Sequence, residues 1–443
     1  MKRPELLSPA GTLKNMRHAF AYGADAVYAG QPRYSLRVRN NEFSKEDVLG
    51  RGIEEAHAAG KRFFLASNIA PHNNKLKNYI RDLEPIIDMG PDALIMSDPG
   101  LIMMVRERFP DMPIHLSVQS NVVNYAAVKF WQSVGLARII LSRELSLKEV
   151  GEIREQCPDM ELEVFVHGAL CIAYSGRCLL SGYLSHRDSN QGACTNTCRW
   201  KYNAYEARET STGDVVPVEV RPAEQPAALL EEETRPGELM PAYEDEHGTY
   251  IMNSRDLRAV QHVRELTAMG IDSLKIEGRT KSAYYTARTA QVYSRAIDDA
   301  VAGRDFDMAM MDELEGLANR GYTEGFYRRH PPKEYQNYER GVSTSDRQQL
   351  VGEIADADDA FVTIAVKNRF ERGDLLELVT PSGNRTFALD VLLDKEGQPT
   401  DAAPGSGHVV RIPLPGGVDA ASLDEFAMLV RYLPRATTGQ AVA

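Results

Sequence analysis

Cysteine is scarce in this chain, with five in 443 residues. There is no apolar stretch long enough to span a bilayer. The opening MKRPELLSPAG puts charge first with no apolar run behind it, which is not the pattern of a secretory leader. A cytosolic setting is therefore expected, where thiols stay reduced and disulfides are rare. HExxH and GxSxG are both missing, which removes two common hydrolase signatures. Positive charge is in deficit too: 51 Lys and Arg against 63 Asp and Glu leave a net of −12. Such a chain does not coat nucleic acid by counterion release alone, although a local basic surface is compatible with it. The acidity is uneven. Residues Asp214 to Glu246 carry about eight of the excess negative charges, and the remainder is only mildly acidic.

Four of the five cysteines fall in one stretch, HGALCIAYSGRCLLSGYLSHRDSNQGACTNTCRWKY, from His167 to Tyr202. Cys171, Cys178, Cys194 and Cys198 follow the spacing C-x6-C-x15-C-x3-C. Disulfides are disfavoured by the expected compartment. A structural zinc usually includes a tight C-x2-C knuckle, and none is present. An iron–sulfur cluster needs four convergent thiolates and tolerates wide spacing. Ligand type favours iron–sulfur and leaves zinc open. Gly176, Gly182 and Gly192 let the backbone turn between ligands. Arg177, Arg187, Arg199 and Lys201 either offset thiolate charge or are merely solvated. Cys157, at a polar helix end, is expected to be a bystander.

Around this stretch the chain has a rhythm. Short apolar runs end in small or polar residues, and amphipathic stretches follow. The runs are Glu5–Ser8, Ala26–Ala29, Arg62–Ala66, Ala93–Met96, Ile114–Val118, Arg138–Leu141, Glu163–Val166 and Ser273–Ile276. Helical patterns lie between them, with Gly23, Gly60, Gly90, Gly135 and Gly270 placed as C-terminal stops. Eight alternating units predict an α/β fold, a TIM-like (β/α)8 barrel, with an open doubly wound sheet as the alternative. Barrel chemistry sits at the C-terminal strand ends. There the sequence places Ser8, Gly30, Asn68, Ser97-Asp98, Gln119, Asn121, Ser142-Arg143-Glu144, His167 and Glu277-Gly278-Arg279. Ser8 and Asp98 are equally well read as helix caps. Arg143, His167, Glu277 and Arg279 favour a site, because charge at a barrel mouth needs partners. His167 lies four residues before Cys171, so the cysteines are expected over that mouth.

After Cys198 the rhythm breaks. Lys201–Val218 predicts a hairpin around Ser211-Thr212-Gly213, and the acidic, Pro-bearing part from Arg221 to Glu246 predicts a loop. Asn253, Ser254 and Asp256 are read either as site groups or as the cap of the next helix. Arg320 to Arg340 (RGYTEGFYRRHPPKEYQNYER) mixes aromatic and basic residues, which suits unpaired bases and phosphates, or an aromatic linker packed on the barrel. From about Gly341 short alternating strands and turn signals predict a small antiparallel β-barrel. The expected organisation is a barrel domain over 1–335 with a Cys-rich insertion near 168–250, a small β-barrel over 341–435, and a tail from 436.

ELLSPAG (Glu5–Gly11), YGADAVYAG (Tyr22–Gly30), LSVQSNVVN (Leu116–Asn124), LSREL (Leu141–Leu145), VHGALCIAYSGRCLLSGYL (Val166–Leu184) and SLKIEGRTKSAYY (Ser273–Tyr285) resemble the peptidase U32 family. The resemblance covers most of the chain and implies more than composition can. Members of the branch it resembles hydroxylate a nucleobase or an aromatic ring rather than cleave peptides. Cys171, Cys178, Cys194 and Cys198 would hold a 4Fe–4S cluster. The substrate would be tRNA in its anticodon region, with wobble uridine converted to 5-hydroxyuridine in a prephenate-dependent reaction. On that footing His167, Arg143, Glu277 and Arg279 are candidate catalytic groups, and Arg37, Asn68, Gln119, Asn253 and Lys275 candidate substrate contacts. Arg37, Arg143 and Arg279 suit carboxylate clamping. Tyr327, Arg328, Arg329 and Lys333 are candidate RNA contacts. A collagenase-like U32 peptidase and a zinc-stabilised RNA-binding protein are the competing readings. The first lacks an activated nucleophile, since a thiolate bound to iron attacks poorly.

Overall fold

Eight apolar runs become parallel strands, each buried on both faces, which is why they read as continuous apolar stretches instead of alternating ones. They are β1 (Glu5–Pro9), β2 (Ala26–Gly30), β3 (Arg62–Ser67), β4 (Ala93–Met96), β5 (Ile114–Leu116), β6 (Arg138–Ile140), β7 (Glu161–Ala169) and, after a long insertion, β14 (Ser273–Ile276). β14 pairs with β1, placing Ser273 opposite Glu5, and with β7, placing Ser273 opposite Glu163. That double pairing closes the barrel, and the open doubly wound alternative falls. The computed structural model describes residues 1–36, 41–171, 173–195, 197–199, 255–278, 281–328, 345 and 347–433, with the backbone of five strands between 206 and 250.

Helices α1 (Leu13–Ala21), α2 (Glu46–Ala58), α3 (Asn73–Asp88), α4 (Pro99–Arg108), α5 (Tyr125–Ser133) and α6 (Leu147–Gln156) fill the intervals between strands. All five glycines expected as helix stops have positive φ, from 67° to 99°. At Gly23 the need is double, because a Cβ there would also lie 2.5 Å from the Ser294 hydroxyl. Asp98 accepts from Leu101 N at 2.8 Å, so its role as a cap is met. Ser146 and Glu149 form a capping box at the start of α6.

The lower half of the barrel interior is ionic. Arg138 donates to Glu5 at 2.6 Å and to Glu163 at 3.1 Å, and Lys275 donates to Glu163 at 2.8 Å. All four residues are buried. Burial alone would push the Glu163 carboxyl up, but Lys275 and Arg138 overcome it and hold Glu163 below the usual carboxylate range. His115 is fully buried beside Phe64, with ring centroids 4.8 Å apart. Burial and the nearby cations keep its imidazole neutral, well below its ordinary value.

The insertion follows β7. Helix α7 (Leu180–Ser185) comes first, then β8 (Glu206–Glu209) and β9 (Val215–Val218) as the expected antiparallel hairpin. The acidic part departs from expectation. β10 (Ala228–Glu231), β11 (Leu239–Asp245) and β12 (Gly248–Tyr250) form an antiparallel three-stranded sheet. Apolar pairs such as Leu229-Leu230 and Leu239-Met240 supply strand signals that the surrounding glutamates mask.

Asp256 does not cap a helix. It opens β13 (Asp256–Arg258), which runs antiparallel to the far end of β7, and its carboxylate pairs with buried Arg320. α8 (Val263–Ala268) then leads into β14. The long α9 (Ala283–Val301) packs outside the barrel, α10 (Ala309–Glu315) packs on it, and β15 (Tyr322–Thr323) adds to β13. On α9 the buried face includes Tyr284, Tyr285, Val292, Tyr293 and Ile297, each contributing about 1.5–3 kcal/mol through apolar burial. No helix among the described residues is long and apolar enough to cross a membrane.

The C-terminal part is antiparallel, as expected. Its strands are β16 (Gln348–Ala357), β17 (Phe361–Val366), β18 (Phe370–Glu371), β19 (Leu375–Thr380), β20 (Gly383–Ala388), β21 (Leu393–Asp394), β22 (Ala402–Ala403), β23 (Val409–Pro413) and β24 (Met428–Tyr432). Seven of them make one sheet in the order β20-β19-β24-β16-β17-β23-β21, with β18 and β22 as a separate ribbon. The sheet has its own apolar core, including Val351, Ile364, Leu378 and Leu429. It also docks on α1 and α9. The Tyr22 hydroxyl contacts the carbonyls of Val379 and Phe426, and buried Arg288 donates to Glu377 at 2.8 Å.

Candidate active site

The C-terminal strand ends carry polar groups because each leaves the barrel into a loop. Buried Asn68, after β3, donates to the Ser117 hydroxyl at 3.2 Å and accepts from Leu36 N at 3.2 Å. It therefore holds the loops after β2 and β5 in place. Gln119 lies in the short turn after β5, half-buried. The Ser142 hydroxyl, after β6, donates to Asn121 at 2.8 Å and also reaches Glu144. Glu277, after β14, is buried and accepts from the Tyr28 hydroxyl at 3.2 Å.

Arg143 has a more specific task. Its guanidinium donates to the Ala169 carbonyl at 2.8 Å and to the Ser175 hydroxyl at 3.1 Å, and lies 4.9 Å from the Phe165 ring centroid. It thus ties the start of the cysteine segment to the rim. The same segment touches the rim elsewhere. A Cβ on Gly176 would lie 2.4 Å from the Gln119 carbonyl, and one on Gly192 would lie 2.7 Å from the Ser35 carbonyl. Both glycines have positive φ. Ala70 N donates to Asn190 O at 2.9 Å. Ser175, Gly176, Asn190 and Gly192 therefore set the cysteine segment against the loops that follow β2, β3, β5 and β6, at the mouth.

None of the four cysteines is in a disulfide; Cys171 and Cys194 are exposed, Cys178 and Cys198 half-buried. In kind, these donors fit an iron–sulfur group: four free thiols on one segment. Their arrangement is not convergent. Among the described residues no group of three or more Cys, His, Asp or Glu is gathered to hold a metal ion. To hold such a group, Cys171, Cys178, Cys194 and Cys198 would have to be drawn together, as in metal sites that fold with their metal.

Three expectations are corrected. His167 does not face the opening. It is 1% exposed and sits between β7 and α9, with Nδ1 3.3 Å from the Tyr293 hydroxyl and its ring 5.4–5.8 Å from those of Tyr285, Tyr293 and Tyr322. Its Nε2 is buried with no hydrogen-bond partner among the described residues. Burial, with smaller contributions from Arg258 and Lys281, lowers its pKa to about 3, so the ring is neutral. Lys275 does not contact the mouth either. It is spent inside the barrel on Glu163, 4.4 Å from the Tyr28 ring centroid. Tyr327 is not an exposed base-stacking platform, since it is buried with its hydroxyl donating to Phe165 O at 2.6 Å. Arg328 remains exposed, its Nε 3.5 Å from Glu324. Arg37, Asn253, Arg279, Arg329 and Lys333 lie outside the described residues.

Sequence reasoning missed Ser175 and Tyr28, whose partners lie 32 and about 249 residues away and leave no local signal.

The family profile of peptidase family U32 matches residues 11–337, and that of the U32 C-terminal domain matches 346–429. The chain is 61% identical over 452 residues to tRNA hydroxylation protein P of Escherichia coli strain K12, covering 99% of each chain. It is 58% identical over 455 residues to tRNA hydroxylation protein P of Haemophilus influenzae, covering 98% of each. Against tRNA hydroxylation protein P1 of Bacillus subtilis the identity is 34% over 420 residues, covering 93% of this chain and 92% of the relative. With its barrel, its C-terminal sheet and these relatives, the chain belongs to peptidase family U32.

Proposed function

We propose that this protein is a tRNA hydroxylase that converts the wobble uridine to 5-hydroxyuridine, with prephenate as co-substrate and a 4Fe–4S cluster on Cys171, Cys178, Cys194 and Cys198. The observation that carries the reading is the identity, over nearly the whole chain, to relatives named for tRNA hydroxylation. The four free thiols laid over a polar barrel mouth support it. When bound, the cluster supplies redox or Lewis-acid chemistry at the mouth. The chain's own residues set the stage: Arg143 fixes the segment that bears the thiols, and Asn68 orders the loops beside it. Arg37 and Arg279 complete the carboxylate clamp on sequence grounds alone.

The peptidase reading is weaker. His167, the histidine at the head of the cysteine stretch, is buried among tyrosines and meets no Ser or Cys nucleophile among the described residues.

Nucleosides of tRNA from cells with and without the gene test the proposal. Loss of 5-hydroxyuridine-type modification is expected, and unchanged modification would sink it. Protein purified without oxygen should be brown and carry iron and sulfide, and Cys178→Ala should lose both colour and modification. A colourless protein with one zinc would remove the cluster from the proposal.

A further inference from the structure

A polar cavity lies on the flank where β13 and β15 extend the barrel sheet. Its volume is about 500 Å³, within the range of small-ligand sites. Three arginines line it: Arg255, Arg258 and Arg328. Tyr322, Met308 and Met311 supply the apolar wall.

The arginines differ in commitment. Arg258 is fixed, paired with Glu315 and stacked with its guanidinium 4.7 Å from the Tyr322 ring centroid. Arg328 is 60% exposed, and its ion pair with Glu324 is long at 3.5 Å. Glu324 is engaged more closely by His262 at 2.7 Å and by Gln261 at 3.2 Å. Arg255 has no hydrogen bond or ion pair among the described residues. An uncommitted arginine is informative in a chain where acids outnumber bases by 63 to 51, because carboxylates are plentiful and yet none of the described ones is placed on it. In the same lining Met308 is 67% exposed. A thioether is soft and polarizable, and suits the face of a flat ring.

Cations set beside a soft apolar wall match one chemical class, a phosphate attached to an unstacked base. We propose that this cavity is a nucleotide subsite for the RNA substrate, with Arg255 and Arg328 on phosphate and Met308 against a base. The proposal rests on reading the protein as a tRNA hydroxylase. The position suits that role: Asp256, next to Arg255, pairs with Ala169, two residues before Cys171. An RNA strand held in the cavity passes beside the cysteine segment. The subsite thus positions the substrate and takes no part in the chemistry.

The test uses the full-length protein with Arg255→Glu, Arg328→Glu and the milder Arg255→Gln and Arg328→Gln. Binding of tRNA is followed by fluorescence anisotropy at several salt concentrations, and hydroxylation at several tRNA concentrations. Charge reversal should weaken tRNA binding at least tenfold and raise KM with kcat unchanged. Each Gln variant should lower the salt slope by about one. Iron content and melting temperature should stay at wild-type values. If a reversed variant does not fold, the Gln variants carry the same test. Wild-type tRNA affinity in the variants, with hydroxylation intact, overturns the subsite and leaves the hydroxylase reading standing. A wild-type protein that neither binds nor modifies tRNA overturns both.

Discussion

Arg143 and Ser175 are 32 residues apart in sequence and joined by a 3.1 Å hydrogen bond. The same guanidinium holds the Ala169 carbonyl, so one side chain anchors both sides of Cys171 to the barrel. Hydrogen bonds from a charged donor are each worth about 1.5–3 kcal/mol. Arg143→Ala should therefore loosen the cysteine segment while leaving the barrel intact. On the proposed function, iron per chain should fall to less than half and tRNA hydroxylation at least tenfold, with a melting-temperature change of only a few degrees. Full iron loading and activity in Arg143→Ala would show that the anchor is dispensable.

Lys275 and Glu163 form a buried pair at 2.8 Å. Removing one partner of such a pair costs about 3–5 kcal/mol, because the other charge stays buried and less compensated. Lys275→Met should lower unfolding stability by that amount in urea titrations. Lys275→Met with Glu163→Leu should recover part of it. If Lys275→Met lost under 1 kcal/mol, the pair would have to be far better solvated than its burial indicates.

His167 gives a pH signature. Its folded pKa, about 3, lies below the ordinary 6.5. Above 6.5 neither the folded nor the unfolded chain binds this proton, and stability is unaffected. Below 6.5 the unfolded chain takes it up and the folded chain does not, so stability falls as pH falls, until the folded value is reached. The slope from this one group approaches about 1.4 kcal/mol per pH unit. In His167→Phe that part of the slope between pH 6 and 4 should vanish. Equal slopes in the two proteins would mean that the ring takes up a proton in the folded state.

Glu377 of the C-terminal sheet is the hub between the two parts of the molecule. It accepts from buried Arg288 at 2.8 Å, from Gln348 at 3.2 Å and from the Tyr432 hydroxyl at 3.2 Å. Glu377→Ala leaves the Arg288 cation buried without this partner and should cost about 3–5 kcal/mol. Limited proteolysis should then cut between barrel and sheet at protease levels that spare the wild type. A digestion pattern identical to wild type would show that apolar contact alone holds the two together.

The barrel was legible because strands buried on both faces leave contiguous apolar runs; seven of the eight coincide within two residues with the strands observed, and β7 runs three residues past its apolar run. Helix stops were legible because a positive φ selects glycine. What escaped depends on distant partners. Lys275 at a strand end reads as a site residue until Glu163, 112 positions away, is found to hold it. Tyr327 in an aromatic and basic segment reads as an RNA contact until Phe165 is found to accept its hydroxyl. β13 and β15 have three and two residues, too short for a periodic pattern to register. The β10–β12 sheet was hidden by composition, because glutamates outweighed the short apolar pairs between them.

Glu5, Arg138, Glu163 and Lys275 fill the bottom of the barrel with interlocked charge, all at most 6% exposed. Ions locked to one another in this way cannot shift singly without stranding a buried charge, so this end of the barrel is the part least free to rearrange.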